Sequence, residues 1–324
     1  MQETHVVTIT KKLKLYSGRS NPQLAQKIAE NVGVELGALK LETFANGEIY
    51  ARYLESVRGC DVFLIQSVVG KMNDALMELL IMTDAAKRAS ARTVTAVIAH
   101  YGYSRQDKKS ASREPITAKL VANLLTVAGI DRTIVIDLHQ GQIQGFFDTP
   151  VNHLTALPIF AEYFEAKGLE NICVVSPDVG RAKAAKKLAD LLDADLAVMH
   201  KSRPAHNISE VTDVIGDVIG KTCIINDDMI DTAGSMIGGI KALRKKGAGR
   251  IFVCATHGIF SGSAFEKLAE ADIEEVVVCD TVPVPEDRPE KIKVISVAPL
   301  LAQAVVNVFN EASVSDFFDP DFQI

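Results

Sequence analysis

The stretch that most limits what this chain can fold into is Lys221 to Ser235, KTCIINDDMIDTAGS. A short apolar run (Cys223, Ile224, Ile225) leads into two adjacent carboxylates, Asp227 and Asp228, and then into Asp231-Thr232-Ala233-Gly234-Ser235. Met236, Ile237, Ile240 and Leu243 follow at helical spacing, so the order is strand, loop and helix. The loop therefore occupies a helix N-terminus, where unpaired backbone N–H groups and the positive end of the helix dipole attract anions. Thr232, Gly234 and Ser235 let a phosphate come close to them.

Carboxylates beside a phosphate cradle would repel it unless they face something else. Sugar hydroxyls, which donate hydrogen bonds to carboxylates, or a divalent cation bridging to the ligand would satisfy them. A ribose 5-phosphate fits both halves of the stretch. The plainer alternative is an acidic loop in which Asp231 or Thr232 merely caps the helix.

At 324 residues the chain has room for two domains of ordinary size, each with its own core. LKLYSG (13–18) reads as a first strand, and Asn21-Pro22 starts a helix reaching Ala29. In FANGEIYARY, Asn46-Gly47 is a turn between two strands. DVFLIQS (61–67) is a buried strand, Asn73 to Ala89 a helix, and TVTAVIAHYGYSRQDKK a strand entering an aromatic and basic loop. Ile116 to Val127 is helical, and TIVIDLH (133–139) is a strand before the glycine-rich GQIQGFFD.

Thr155 to Phe164 is a helix that opens the second domain, and NICVVSPD (171–178) is that domain's first strand. Ala182 to Leu192 is a basic amphipathic helix, and DLAVMHKSRP a strand running into a polar, proline-containing loop. Residues 274–285 form a late strand, and Pro299 to Glu311 a terminal helix. This alternation predicts an α/β fold of parallel sheets with helices on both faces. A weak internal echo pairs DVFLIQS, helix and ARTVTAVIAHYGYS with KTCIIND, helix and AGRIFVCATHGIFS, as a duplication would. The domains then run 1–154 and 155–324, with the last ~15 residues docking back on the first.

A net charge of -6 without a polybasic run argues against nucleic acid as a partner, while a local cluster of cations can still hold an anionic substrate. The five cysteines lie far apart, mostly inside apolar runs, with no metal or redox spacing. No stretch reaches membrane-spanning length, and the N-terminus lacks a continuous apolar segment. These features predict a reduced, soluble, cytoplasmic protein with no membrane partner.

Four further constellations carry chemistry. His139 and Asp178 each follow an apolar strand, so they either meet at two carboxyl ends, as ligands suited to Mg²⁺ held mainly by substrate phosphates, or serve as satisfied structural residues. Lys201-Ser202-Arg203-Pro204 is either a solvated surface or a loop that neutralises phosphates during phosphoryl-type transfer. Arg105 and Gln106 with Phe44, Asn46 and Glu48 offer a stacking face, a cation and amide or carboxylate edges for a nucleotide, although Phe44 by itself reads as core. GQIQGFF matches neither the dinucleotide fingerprint nor the Walker loop, so any ATP bound here is not held as in P-loop kinases.

INDDMIDTAGS resembles the phosphoribosyl-diphosphate (PRPP) binding loop shared by type I phosphoribosyltransferases and ribose-phosphate diphosphokinases, or PRPP synthases. HYGYSRQDKK, SREPITAKLVANLL, DLHQGQIQGFFD, VVSPD, KSRP and ATHGIFSGSA extend the resemblance to PRPP synthases from about Leu13 to Phe318. It implies two similar type I phosphoribosyltransferase-like α/β domains, with ATP and ribose 5-phosphate as substrates, Mg²⁺ as cofactor and PRPP with AMP as products. It implies His139 and Asp178 as metal contacts, Lys201 and Arg203 as the catalytic pair of a flexible loop, and Asp227, Asp228 and Asp231 to Ser235 (Asp231, Thr232, Ala233, Gly234, Ser235) as the ribose 5-phosphate site. Phe44, Asn46 and Glu48, with the first and last supplied by a neighbouring subunit, would join Arg105 and Gln106 around ATP in a homo-oligomer of the hexamer-of-dimers type. Arg58, Ser313 and Ser315 fall where family members bind a regulatory phosphate or ADP.

Three positions depart from the family pattern: Arg181 where a second glycine is common, Ser202 between Lys201 and Arg203, and Asn46 where an acid is common. A type I phosphoribosyltransferase and a non-catalytic regulatory paralogue are the rival readings.

Overall fold

A computed structural model describes residues 11–205 and 208–314, and for 201–212 the backbone alone. Ser315 and the side chains of Lys201, Ser202 and Arg203 therefore lie outside the described residues. The chain divides into two compact units, one built from the described parts of Met1–Val135 with Gln142–Asn152 and Ala298–Val314, the other from Ile136–Gly141 and His153–Val297.

The first unit contains β1 (Leu13–Ser17), α1 (Pro22–Val32), β2 (Leu39–Thr43), β3 (Ile49–Tyr53), β4 (Asp61–Ile65), α2 (Met72–Arg88), β5 (Thr93–Ile98), α3 (Thr117–Ala128) and β6 (Arg132–Ile136). β7 (Val151–Leu154) completes a sheet of order β1-β4-β5-β6-β7, in which β1, β4, β5 and β6 pair in parallel. Strand β4 is buried along its whole length, as its unbroken apolar sequence requires of a parallel strand covered on both faces. Helix α1 starts because the Asn21 side chain accepts the Leu24 N–H at 3.3 Å with Pro22 next in line. It ends at Gly33, whose φ of 80° brings its N–H back to the carbonyls of Ala29 and Glu30.

The second unit holds α4 (Leu157–Glu165), β8 (Ile172–Ser176), α5 (Ala182–Leu191), β9 (Asp195–Ala205), β10 (Ile208–Ile215), β11 (Thr222–Ile230), α6 (Gly234–Lys245), β12 (Ile251–Gly258), α7 (Ala264–Glu270), β13 (Glu275–Cys279) and β14 (Ile292–Ile295). Its sheet has the order β10-β9-β8-β11-β12-β13-β14, parallel except for the antiparallel edge pair β9 and β10. The terminal helix α8 (Ala298–Phe309) belongs to the first unit, where it lies against α1. The echo seen in the sequence has a structural counterpart: β4-α2-β5 and β11-α6-β12 are both parallel crossovers between neighbouring strands.

Three sequence expectations are corrected. The segment after His200 is not a loop at the backbone level, since β9 continues to Ala205 with Lys201 opposite Val211 and Ser202 opposite Glu210. The β-branched residues of ISEVTDVI supply it with a partner strand. The late strand stops at Cys279, ahead of Pro283 and Pro285, which have no N–H to give a ladder. Strand β11 runs past its apolar start through the acid pair to Ile230.

Gly258 closes β12 where a Cβ would stand 2.5 Å from the Phe260 ring and 3.1 Å from Val278. Phe260 already sits at a left-handed φ of 53° and has little freedom to yield. Gly258→Ala is expected to destabilise the second unit by about 1–3 kcal/mol, read as a lower urea midpoint.

Candidate active site

Strands β8 and β11 are neighbours, yet the chain leaves them in opposite directions, from β8 through α5 to β9 and from β11 through α6 to β12. Such a reversal opens a crevice outside the carboxyl ends of the two strands. Pairing of β11 with β8 stops at Ile225 opposite Val175, whereas pairing with β12 continues to Ile230 opposite Gly258. Asp227 and Asp228 thus stand on the part of β11 that overhangs the crevice.

Successive side chains of a strand leave it on opposite sides, and the two carboxylates have different partners. Asp228 is buried, and its Oδ2 lies 2.7 Å from Nδ1 of His139. Asp227 is partly exposed; its Oδ1 accepts the Asp228 N–H at 2.9 Å and lies 4.0 Å from Nε of Arg181. Burial and the adjacent Asp228 charge push the Asp227 carboxyl well above its usual range. Burial pushes Asp228 the same way, but the His139 hydrogen bond and the Arg181 charge outweigh it and hold Asp228 below the usual carboxylate range.

The loop after the acid pair is shaped by the turn that follows β12. Ile259 and Phe260 donate their N–H groups to the Ile230 carbonyl at 2.9 and 3.0 Å, Ser261 N–H to the Asp231 carbonyl at 3.0 Å, and Lys267 Nζ to the Thr232 carbonyl at 3.0 Å. A trans peptide points its N–H opposite its carbonyl, so pinning these three carbonyls turns the N–H groups of Asp231, Thr232 and Ala233 the other way. Ala233 is buried in the left-handed region at φ 59°, while Thr232, Gly234 and Ser235 are exposed. The N-cap residue of α6 is Ala233, whose side chain makes no capping hydrogen bond, and Asp231 and Thr232 precede it on the turn.

His139 is delivered by a tightly held arm. Asp137 adopts φ 41°, a conformation costly for a non-glycine residue. Its Oδ2 accepts Ala156 N–H at 2.9 Å and Thr256 Oγ1–H at 2.6 Å, its carbonyl accepts His257 Nε2–H at 3.1 Å, and its N–H donates to Leu154 at 2.9 Å. Leu138 N–H donates to His153 Nε2 at 2.9 Å. Asp137 and Leu138 adjoin His139 in the sequence, whereas no pattern there marks His153, Ala156 or Thr256 as their partners.

On the β8 side, Asp178 caps a single 3-10 turn, Val179–Arg181, by accepting the Arg181 N–H on Oδ1 at 3.2 Å. The hydrogen bond that His139 makes through Nδ1 is to Asp228. That bond leaves Nε2 as the His139 atom with a lone pair to offer, an arrangement in which a carboxylate orients a metal-binding imidazole. Among the described residues no three His, Cys, Asp or Glu side chains converge as a metal cage. An imidazole and a carboxylate are donor types that a hard cation accepts when its other ligands come from phosphates and water.

In the first unit, Phe44, Asn46 and Glu48 share the tip of the β2-β3 hairpin. Gly47 turns there at φ 93°, Phe44 N–H donates to the Glu48 carbonyl at 2.8 Å, and Asn46 Oδ1 takes the Glu48 N–H at 3.1 Å. Phe44 is 48% exposed, with its ring centroid 5.6 Å from that of Tyr50, so its reading as core is corrected: the hairpin carries it away from the sheet. Arg105 and Gln106 are exposed on the loop between β5 and α3, where Gln106 accepts Thr117 Oγ1–H at 2.5 Å and Ala118 N–H at 3.1 Å. Arg58 is exposed beside Gly59, and the Ser313 carbonyl accepts Asn307 Nδ2–H at 2.5 Å after α8.

Residues 13–129 match the N-terminal domain of ribose phosphate pyrophosphokinase, and 203–319 match the phosphoribosyl synthetase-associated domain. A ribose-phosphate pyrophosphokinase of Bacillus subtilis is 50% identical over 309 residues, spanning 95% of this chain and 98% of its own. That of Caldanaerobacter subterraneus is 51% identical over 311 residues, with the same coverage of 95% and 98%. This chain belongs to the ribose-phosphate pyrophosphokinase family. The crystal structure of phosphoribosylpyrophosphate synthetase from Mycobacterium smegmatis superposes with a TM-score of 0.88 at 46% identity, over 93% of this chain and all of that one. The fold is therefore the two-domain, type I phosphoribosyltransferase-like α/β fold of the ribose-phosphate pyrophosphokinases.

Burial holds the His257 imidazole below its usual pKa, so it folds neutral. The stability it contributes is full above about pH 6.5 and is lost as the pH falls, with a slope of up to about 1.4 kcal/mol per pH unit. Thermal unfolding between pH 7.5 and 5 should show this acid-side loss, and His257→Gln should flatten it while lowering stability throughout.

Proposed function

We propose that this chain transfers the diphosphoryl group of ATP to the anomeric hydroxyl of ribose 5-phosphate, giving PRPP and AMP for nucleotide biosynthesis. The anomeric hydroxyl attacks the β-phosphorus and gives up its proton to solvent, a new C1–O–P link forms, and the bond from the β-phosphorus to the α,β-bridging oxygen breaks to release AMP. The observation that carries this reading is the N-terminus of α6, entered through the left-handed Ala233, beside an acid pair at the reversal of strand order. The backbone from Asp231 to Ser235 receives the 5-phosphate, and Asp227 and Asp228 accept hydrogen bonds from the ribose hydroxyls.

Phosphoryl-type transfer depends on positioning and on neutralising charge more than on covalent help from the protein. A bound Mg²⁺ would neutralise phosphate oxygens, with His139 Nε2 and the Asp178 carboxylate as its protein contacts. Asp228 and the Asp137 arm hold His139 in place for this. Lys201 and Arg203 bring positive charge to the transferred group. Phe44 stacks on adenine, with Asn46, Glu48, Arg105 and Gln106 at its edges and phosphates. Arg58 and Ser313, with Ser315, take a regulatory phosphate or ADP.

The active form is a homo-oligomer in which a neighbour supplies Phe44 and Glu48. Ile116, Leu120, Leu124 and Val127 make an exposed apolar stripe along α3, and a second copy of the chain would cover it. No helix among the described residues is long and apolar enough to cross a membrane, and the five cysteines are free and buried. Both suit a cytoplasmic enzyme.

Incubation with ATP, ribose 5-phosphate and Mg²⁺ should release AMP; product without AMP would sink the assignment. Lys201→Ala should lower turnover by at least about a hundredfold while leaving ribose 5-phosphate binding nearly unchanged, as a calorimetric titration would read. Leu120→Glu with Leu124→Glu should reduce the assembly mass in light scattering, and an unchanged mass would rule the stripe out as an interface.

A further inference from the structure

Glu78, a carboxylate of α2 that is only 3% exposed, is the hub of a polar cluster at the carboxyl ends of β1 and β4. Its Oε1 accepts the Arg19 N–H at 2.7 Å and Gln66 Nε2–H at 3.0 Å, and its Oε2 accepts Arg19 Nε–H. Gln66 is pinned in turn, since its Nε2 also donates to the Ala75 carbonyl at 3.1 Å and its Oε1 accepts the Ser20 N–H at 3.2 Å. Glycine is required where the chain passes this side chain, because a Cβ on Gly18 would lie 2.4 Å from Gln66 Oε1. A carboxylate so buried is costly unless it is both paired and hydrogen-bonded, and Arg19 does both.

The far side of the same guanidinium leaves the cluster. Arg19 Nη2 donates to Thr43 Oγ1 at 3.0 Å, and Thr43 ends β2 immediately before Phe44. Strands β2 and β3 form a two-stranded sheet of their own, outside the five-stranded one. A hairpin of that size is marginally stable in water by itself, so its place depends on what ties it down. At the Leu39–Tyr53 end of the ladder, Tyr53 Oη–H donates to the Met82 carbonyl of α2 at 2.9 Å. At the Thr43–Ile49 end, which carries the Asn46-Gly47 turn, Arg19 makes the tie. The rigid fork of a guanidinium suits this, since fixed donors bond a carboxylate and a hydroxyl at once.

We propose that Arg19 is a positioning residue for nucleotide binding, bracing the hairpin tip against Glu78 so that Phe44 is held where adenine meets it. The proposal rests on the reading in which Phe44 stacks on the base. Without the brace the tip visits other positions, and the apparent affinity falls by the fraction of time that the competent one is occupied. Lys201, Arg203 and the acid pair belong to the second unit and keep their places, so turnover at saturating ATP is unchanged.

The test is steady-state kinetics of the full-length protein with ATP and ribose 5-phosphate varied in turn. Thr43→Val, which keeps the β-branched shape and loses the acceptor, should raise KM for ATP about threefold and Arg19→Ala about tenfold, with kcat and KM for ribose 5-phosphate unchanged. The two changes combined should cost no more than Arg19→Ala alone, since both break one link. Amide hydrogen exchange over residues 44–48 should quicken in each variant. Thr43→Val leaves Glu78 paired with Arg19, which keeps the test available if Arg19→Ala does not fold. An unchanged KM for ATP, an equal rise for ribose 5-phosphate, or additive losses in the double variant would overturn the proposal. Phe44→Ala tests the adenine reading separately: an unchanged KM for ATP there removes that reading, whereas a raised one with Thr43→Val and Arg19→Ala unaffected removes the brace.

Discussion

The reversal of chain direction between β8 and β11 is the constraint on which the site depends. Because α5 and α6 leave to opposite sides, neither of their connections crosses the ends of the two strands. Strand β11 uses that opening by running on past the end of its pairing with β8, so that a ladder whose other edge is still bonded to β12 carries the two carboxylates. A strand is a stiffer mount than a loop, and the carboxylates gain position from it.

Around this mount the charges are arranged in opposition. Asp228 is satisfied by His139, Asp227 faces Arg181, and Asp178 accepts from the backbone that carries Arg181. Each carboxylate therefore has a nearby donor or cation, which makes their burial tolerable. The turn beside them is set by other means: its carbonyls are taken up by Ile259, Phe260, Ser261 and Lys267. The acid pair and the turn that follows it share a single β-strand-to-helix connection, as a proposed ligand with a polyol at one end and a phosphate at the other would require.

Much of this was legible in the sequence. INDDMIDTAGS announces strand, acid pair and helix start because apolar runs and helical spacing are local signals. The Asn46-Gly47 turn is equally local, since only a glycine tolerates φ 93° at such a position without cost. The exposure of Phe44 was not legible, for burial depends on where the hairpin lies relative to the sheet. Nor was the His139 contact: residues 139 and 228 are far apart in the chain, and no periodicity relates them. Arg181 looked like a departure from a family pattern, and only its direction toward Asp227 makes it part of the site.

The sequence by itself determined the α/β alternation, the existence of a strand-to-helix turn after the acid pair and the chemical kind of side chain available near it, because these follow from short-range pattern and residue chemistry. Tertiary structure alone decided which carboxylate met the imidazole, which faced the guanidinium, and how far the sheet held the acid pair before the turn began. Those outcomes depend on register between strands distant in the chain, and register is settled by the burial of whole faces, not by any single stretch of residues.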